Sequence, residues 1–304
     1  MNNTLQKNVH AYVDESGAKG LIRNLKPAQD KKIAVIACIA VPDTELQRFY
    51  DAFREPFNRF KQARPARTAS LHITDAFESG SVAWANVARE VREQIFRTIR
   101  AMQIPVVYHA RRLRIVRQTF ERIQNMIDQA LTSRRSDIRV NTRPSAERVE
   151  EDCMIGLTLK LDALLTDYGY DLVDFVTDEM DRPIAKLFQS MMDHTRKMAN
   201  PSGCMVRGFD PAKKERVESQ FRIEVRDMLG QRIPDFNTRH IGNLVVQGKD
   251  HPLVFAADVT VNALWHHLSG LSSDAPLNHP DSIAGWTLGN RVYGTRPDAL
   301  EDQI

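Results

Sequence analysis

The feature that most constrains the fold is an uninterrupted apolar run at residues 33–41, IAVIACIAV. Its β-branched side chains favour an extended strand, and a run without polar alternation is typical of a strand buried on both faces. Such a strand needs a covering layer above and below its sheet. The sequence therefore predicts an α/β fold in which helices flank a central sheet.

Short apolar segments and amphipathic stretches alternate along the rest of the chain. We predict further strands at residues 9–14, 104–109, 172–177 and 243–246, and helices at residues 43–62, 82–102, 112–132, 146–168 and 253–268. Asp43 is placed to cap the first helix, and Pro183 suits the first turn of one more helix. The stretch 204–241 supports no assignment.

The chain length is ample for one large core. None of the connecting stretches is long enough to demand a domain boundary. We therefore expect one domain over residues 1–270, with an arginine-rich helical insertion near 111–168, and a loop-rich tail over 271–304.

Composition bears on the compartment. Cys38, Cys153 and Cys204 are too few and too scattered for a disulfide framework or a thiolate zinc site. No apolar run approaches the roughly 20 residues that span a bilayer, and the N-terminal residues do not have the pattern of a secretion signal. We expect a cytoplasmic protein without a membrane partner.

Arginine is concentrated between residues 89 and 148, although the formal net charge of the chain is only +3. Guanidinium groups bind phosphate in a bidentate geometry, so this stretch could follow a nucleic-acid backbone. The alternative is a solvated face of helices. The candidates for phosphate contact are Arg111, Arg112, Arg114 and Arg117.

Acidic side chains stand where predicted strands end. Asp14 and Glu15 follow the first strand, and Asp178 and Glu179 follow a later one. Asp258 lies within an otherwise apolar helix, where an aspartate is seldom buried without a partner. Neighbouring strand ends bring carboxylates close together, and hard divalent cations take oxygen ligands. We therefore expect a site for Mg²⁺ or Mn²⁺, where two ions about 3.5–4 Å apart can act on a phosphodiester.

Each candidate also has a structural interpretation. Asp14 can stabilise the turn that follows it, Asp178 can favour a helix N-terminus, and Asp258 can pair with an arginine. His72 is a candidate for proton transfer or phosphate contact, or a structural hydrogen-bonding residue. The chain has no Gly-rich Walker loop, His-Glu-x-x-His zinc motif or Gly-x-Ser-x-Gly elbow, which argues against those classes of enzyme.

Four short motifs resemble domain-of-unknown-function family 3800. They are YVDESG at residues 12–17, LH at 71–72, VTDE at 176–179 and FAAD at 255–258. The motifs occur in family order over residues 9–268, and the first is the most specific. The chain departs from the family at Phe255, where a glutamine is usual. The serine or lysine that the family has before the helix is only loosely matched, by residues 249–251 (KDH).

The resemblance implies an RNase H-like fold, with a mixed central sheet flanked by helices, and a metal-dependent nuclease site. It points to a set of catalytic and metal-binding carboxylates with two secondary members. The carboxylates are Asp14, Glu15, Asp178 and Asp258, and the secondary members are His72 and Glu179.

Two classes of function remain open at this stage. The first is a divalent-metal-dependent nuclease acting on RNA or DNA. The second is an inactive scaffold or adaptor that binds a partner protein or nucleic acid, for example in a bacterial defence or toxin module. Wide separation of Asp14, Asp178 and Asp258, or arginine salt bridges on each of them, would favour the scaffold. A hydrolase of nucleotides or other phosphoesters would use the same acids in a closed pocket.

Overall fold

The computed structural model describes residues 7–17, 32–66, 68, 71–133, 146–178, 189, 203–210, 213–222, 240–278, 282–283 and 286–289. Its elements, in chain order, are β1 (Asn8–Ser16), β2 (Ile33–Pro42), a 3-10 turn (Asp43–Glu45), α1 (Leu46–Ala63), α2 (Ile73–Glu78), α3 (Val82–Ala101), β3 (Val106–Arg112), α4 (Leu113–Ser133), α5 (Ala146–Tyr168), β4 (Leu172–Thr177), β5 (Gly203–Asp210), β6 (Glu215–Arg222), β7 (Ile241–Val246), α6 (Pro252–Ser269), β8 (Ser282–Ile283) and β9 (Trp286–Thr287). The strands and helices predicted within these ranges are confirmed, with small shifts at their ends.

Five strands form one mixed sheet in the order β3-β2-β1-β4-β7. β2 runs antiparallel to both of its neighbours, β1 and β3. β1 is parallel to β4, which in turn is parallel to β7. A mixed sheet of this order, flanked by helices, confirms the predicted RNase H-like α/β fold.

The apolar run of β2 contributes side chains to two hydrophobic cores, one on each face of the sheet. Ile33, Val35 and the alternate positions after them pack towards α1, α3 and α6. Ala34, Ile36 and the positions between pack towards α5. Because side chains alternate across a strand, a strand covered on both faces needs apolar residues at every position.

Helix α1 follows the predicted pattern, since Phe49, Phe53 and Phe57 are buried along one side. The predicted capping role of Asp43 is wrong. Asp43 lies within the 3-10 turn that precedes the helix, and its carboxylate is bonded to the ring of His10. The helix begins three residues later than Asp43 because this extra turn intervenes.

Helix α6 packs across β1 and β2 and is mostly buried. Twelve of its 18 residues are buried, among them Phe255, Ala256 and Ala257, whereas Asp258 is only partly so. A helix that is apolar on nearly all sides belongs in a core. Its single carboxylate is therefore held at the edge of that core.

Two further segments complete the described structure. β5 and β6 form an antiparallel hairpin in the stretch for which the sequence supported no assignment. The tail crosses the edge strand β3, where the hydroxyl of Tyr108 donates to the carbonyl of Leu277 and Gly289 donates to Val106. The helix expected at Pro183 lies outside the described residues. Among those that are described, no helix is both long enough and apolar enough to cross a bilayer.

Candidate metal centre

Two strand ends bring two aspartates together. β1 and β4 are parallel neighbours, and their register pairs Val13 with Thr177. The next residues along these strands are Asp14 and Asp178. Both line one small depression in the surface together with Asp258 of α6. The three aspartates predicted to meet therefore lie in a single site.

Asp258 is oriented by the short helix α2. The backbone N–H of Ile73 donates to its Oδ2 atom over 2.7 Å, and its Oδ1 atom lies 3.4 Å from Nδ1 of His72. Within the described part of the chain, these groups pair with Asp258 in place of the arginine considered from the sequence. The carboxylate thus keeps one oxygen turned towards His72.

The chain holds His72 in place through the start of α2. His72 is the N-cap residue of that helix, and its backbone N–H donates to Oδ2 of Asp75 over 3.1 Å. The backbone N–H of Asp75 donates in return to the carbonyl of His72 over 3.1 Å, which closes the first turn. It fixes the position from which the His72 ring reaches the carboxylates.

Three side chains have donor atoms close enough to share one metal ion. One ligand atom each from Asp14, His72 and Asp258 lies within 4.8 Å of the others. Ligands that sit about 2.0–2.6 Å from a common divalent ion have separations in this range. Asp178 and Lys249 complete the polar lining of the same depression.

The electrostatics of the site favour a cation. Burial raises the pKa of Asp14 well above its usual range, and the charges of Asp258, Glu15 and Asp178 raise it further. The hydrogen bond to Asp258 raises the pKa of His72, although burial of the ring opposes this shift. Carboxylates gathered in this way repel one another unless a positive charge lies between them.

Lys249 is a residue of the site that the sequence analysis did not select. Its Nζ atom lies 3.0 Å from Nε2 of His72 and 3.7 Å from Oδ2 of Asp178. The only indication in the sequence was the serine or lysine that the resembled family has before the helix of Asp258. A single lysine in a polar loop has no pattern that distinguishes it from a solvated one.

Glu15, one of the two predicted glutamates, is not among the described donors that could share one ion. Glu15 follows Asp14 on β1, and successive side chains of a strand point to opposite faces. The proposed ligands are therefore Asp14, His72 and Asp258, without Glu15. Glu179 lies outside the described residues.

The four arginines predicted to contact phosphate lie at the end of β3 and the start of α4. β1 and β3 run in the same direction, so this end of β3 lies at the sheet edge that carries Asp14. Arg112 is only 3% exposed and donates to the backbone carbonyls of Ser272 and Ala275. It anchors the tail, which removes it from the candidates for phosphate contact.

The other three arginines keep part of their surface in solvent. Arg111 is the last residue but one of β3, and Arg114 and Arg117 lie in the first turns of α4. Nε of Arg117 lies 3.7 Å from a carboxylate oxygen of Glu121, four residues further on. These three remain candidates for contact with a phosphate backbone.

An aromatic and basic surface lies beside the site and was missed from the sequence. The ring of Phe77, at the far end of α2 from His72, is 39% exposed. The guanidinium groups of Arg89 and Arg92, on α3, each lie 5.8 Å from its centroid. Aromatic content alone could not reveal this surface, because its residues come from two helices.

A larger cavity lies at the opposite end of the sheet from Asp14. It measures about 410 Å³ and is lined by Val9, Phe49, Leu164 and Tyr170, among others. The aspartates instead line a small depression at the carboxyl ends of β1 and β4. Within the described residues, the aspartate site and this cavity are therefore separate features of the structure.

Comparisons with protein-family models, with curated proteins and with solved structures return no match for this chain. The functional interpretation accordingly depends on the geometry and chemistry of the site.

Proposed function

We propose that the protein is a divalent-metal-dependent nuclease that hydrolyses phosphodiester bonds of RNA or DNA. The observation that carries the proposal is the cluster formed by Asp14, His72 and Asp258, with Asp178 beside it. These residues come from β1, the start of α2, α6 and the end of β4. A scaffold has no need to gather repelling carboxylates from three distant parts of the chain.

The donor atoms fit a divalent ion. Asp14 and Asp258 offer carboxylate oxygens, and His72 offers a ring nitrogen. A mixed set of oxygen and nitrogen donors suits a first-row transition metal such as Mn²⁺ better than Mg²⁺, which prefers oxygen ligands throughout. We therefore expect Mn²⁺ to support activity more strongly than Mg²⁺.

The bound ion would supply Lewis acidity, which polarises a phosphodiester and makes water a better nucleophile at neutral pH. Asp14, His72 and Asp258 would hold the ion, and the Ile73 N–H keeps Asp258 in its orientation. Asp178 holds Lys249 close to the site, where an ammonium group can attract a phosphate oxygen.

The surface beside the site supports a nucleic-acid substrate. Along α2, each residue advances about 1.5 Å, so Phe77 lies less than about 10 Å from His72 along the helix axis. An exposed ring suits base stacking, and Arg89 and Arg92 next to it suit the adjacent phosphates. Arg111, Arg114 and Arg117, at the end of β3 and the start of α4, are separate candidates, because the start of α4 packs into the core on the α5 side of the sheet.

The proposal is tested by incubating purified protein with labelled RNA, DNA and hybrid substrates in Mn²⁺, in Mg²⁺ and in EDTA. We expect cleavage with Mn²⁺ and none with EDTA. Asp14→Asn and Asp258→Asn remove ligands with little change in size and should abolish cleavage. Asp51→Asn is the matched control, because Asp51 is an exposed aspartate of α1 bonded to Gln47.

Equal cleavage by the wild-type chain and by both ligand variants would exclude this site. Failure of the wild-type chain to bind Mn²⁺ would instead favour the inactive scaffold. The same proposal includes membership of domain-of-unknown-function family 3800. It also includes a protein partner in a defence or toxin module. A cytoplasmic location is a further part of it, with which the buried free thiols of Cys38 and Cys153 are compatible.

A further inference from the structure

Lys249 is one of the residues that line the carboxylate site. Its ammonium nitrogen is 3.0 Å from Nε2 of His72 and 3.7 Å from Oδ2 of Asp178. It lines the same depression as Asp14 and Asp258. The chain therefore supplies a cation of its own next to its clustered carboxylates.

The loop that carries Lys249 is anchored on both following residues. Asp250 accepts a hydrogen bond of 2.8 Å from Nζ of Lys61 on α1. The ring of His251 stacks on Tyr12 of β1, with centroids 5.5 Å apart and planes inclined by 8°. Since both neighbours are held by the body of the fold, the position of Lys249 is a built feature of the site.

The charges divide the site into two halves. Among the described residues, the group able to share one ion consists of Asp14, His72 and Asp258, and Asp178 is not part of it. Asp178 instead faces Lys249. Three ionised aspartates are balanced by one ammonium group and one doubly charged ion, whereas a second ion would have to displace Lys249 from Asp178.

We propose that Lys249 takes the place of a second metal ion, so that the site binds one divalent ion per chain. Asp14, His72 and Asp258 hold that ion, and Lys249 neutralises Asp178. The inference deepens the proposed function and rests on it. It differs from the two-ion arrangement that the strand-end acids suggest by themselves.

The test is a count of bound Mn²⁺ by titration calorimetry and by the electron paramagnetic resonance signal of free Mn²⁺. We expect about one ion for the wild-type chain and for Lys249→Arg, which keeps the charge. For Lys249→Met we expect a second, weaker ion at Asp178, raising the count towards the two of a two-metal site. Adding Asp178→Asn to Lys249→Met should return the count to about one.

Lys213→Met is the matched control, since Lys213 is an exposed lysine in the turn between β5 and β6. Thermal unfolding checks that each variant folds, which we expect because the Lys249 side chain is 37% exposed. Two ions of similar affinity on the wild-type chain would overturn the inference. So would an unchanged count for Lys249→Met.

The two proposals fail differently. A chain that cleaves nucleic acid with two bound ions loses only the assignment of Lys249. A chain that binds no Mn²⁺ loses the metal centre, and the proposed function with it.

Discussion

The backbone N–H of Ile73 donates a hydrogen bond of 2.7 Å to Oδ2 of Asp258, although the two residues are 185 positions apart in the chain. The bond uses one oxygen of the carboxylate and leaves Oδ1 on the side of His72. Carboxylates that ligate metals are commonly oriented by such outer hydrogen bonds. The short helix α2 thus both presents His72 and sets the direction of Asp258.

Asp14→Asn should stabilise the metal-free protein at neutral pH while removing its response to Mn²⁺. Burial and the neighbouring acids raise the pKa of Asp14, so its ionised form destabilises the metal-free fold. The unfolded chain releases the Asp14 proton at its ordinary pKa of about 4, whereas the folded chain keeps it to a higher pH. The contribution of Asp14 to the stability of the fold is therefore largest below about pH 4, and it is lost as the pH rises through the raised pKa. Asparagine does not titrate, so the advantage of the variant should be larger at pH 8 than at pH 5.

Thermal unfolding in EDTA at the two pH values measures this difference. Each kcal/mol corresponds to about 2–4 °C for a large domain. Asp51→Asn, at an exposed carboxylate of α1, is the control for the substitution itself. An Asp14→Asn chain that is less stable than wild type at pH 8 would contradict the electrostatic account of the site.

Phe77→Ala should weaken binding of single-stranded oligonucleotides about tenfold, since stacking on an aromatic ring contributes about 1–3 kcal/mol per base. Arg89→Gln and Arg92→Gln should weaken binding less and flatten its dependence on salt. Fluorescence anisotropy in EDTA measures binding without cleavage. Arg48→Gln is the control, because Arg48 is an exposed arginine paired with Glu45.

These variants should still hydrolyse a small diester such as bis(4-nitrophenyl) phosphate at the wild-type rate. Unchanged oligonucleotide affinity in Phe77→Ala and in both arginine variants would show that the substrate lies elsewhere.

Gly17→Ala should destabilise the protein more than Gly80→Ala does. Both glycines have a positive φ, 87° and 73° respectively, which costs a residue with a Cβ roughly 1–2 kcal/mol. A Cβ at Gly17 would also collide with the carbonyl of Ile33 and the indole nitrogen of Trp265, whereas nothing lies within 4 Å at Gly80. Urea unfolding should therefore give a further loss of about 1–3 kcal/mol for Gly17→Ala alone. Equal losses would mean that the turn after Asp14 relaxes freely.

Arg112→Met should lower the free energy of unfolding by about 2–4 kcal/mol, because two backbone carbonyls lose a charged donor in a buried setting. Arg114→Met, at a half-exposed position of α4, should change stability little and reduce affinity for nucleic acid. Urea unfolding and anisotropy separate the two effects. If Arg112→Met is as stable as wild type but binds nucleic acid more weakly, Arg112 contacts the substrate and does not anchor the tail.

Much of the framework of the site was predictable because it depends on local patterns. The apolar run of β2, the acids Asp14 near the end of β1 and Asp178 after β4, and the isolated acid of α6 can each be recognised within one window of sequence. The capping role expected of Asp43 failed because the 3-10 turn and the contact with His10 depend on β1. Arg112 was misjudged for a similar reason, since its partners lie in the distant tail.

The sequence by itself determined which side chains end the strands and which acid interrupts the apolar helix, because the periodicity of side chains along a strand or helix is a local property. Only the tertiary structure decided that His72 and Lys249 meet these acids, across 177 positions of chain. That contact depends on how α2 packs beside α6 and on how Asp250 and His251 anchor their loop. Residues so distant come together through the packing of whole elements, which no single stretch of sequence specifies.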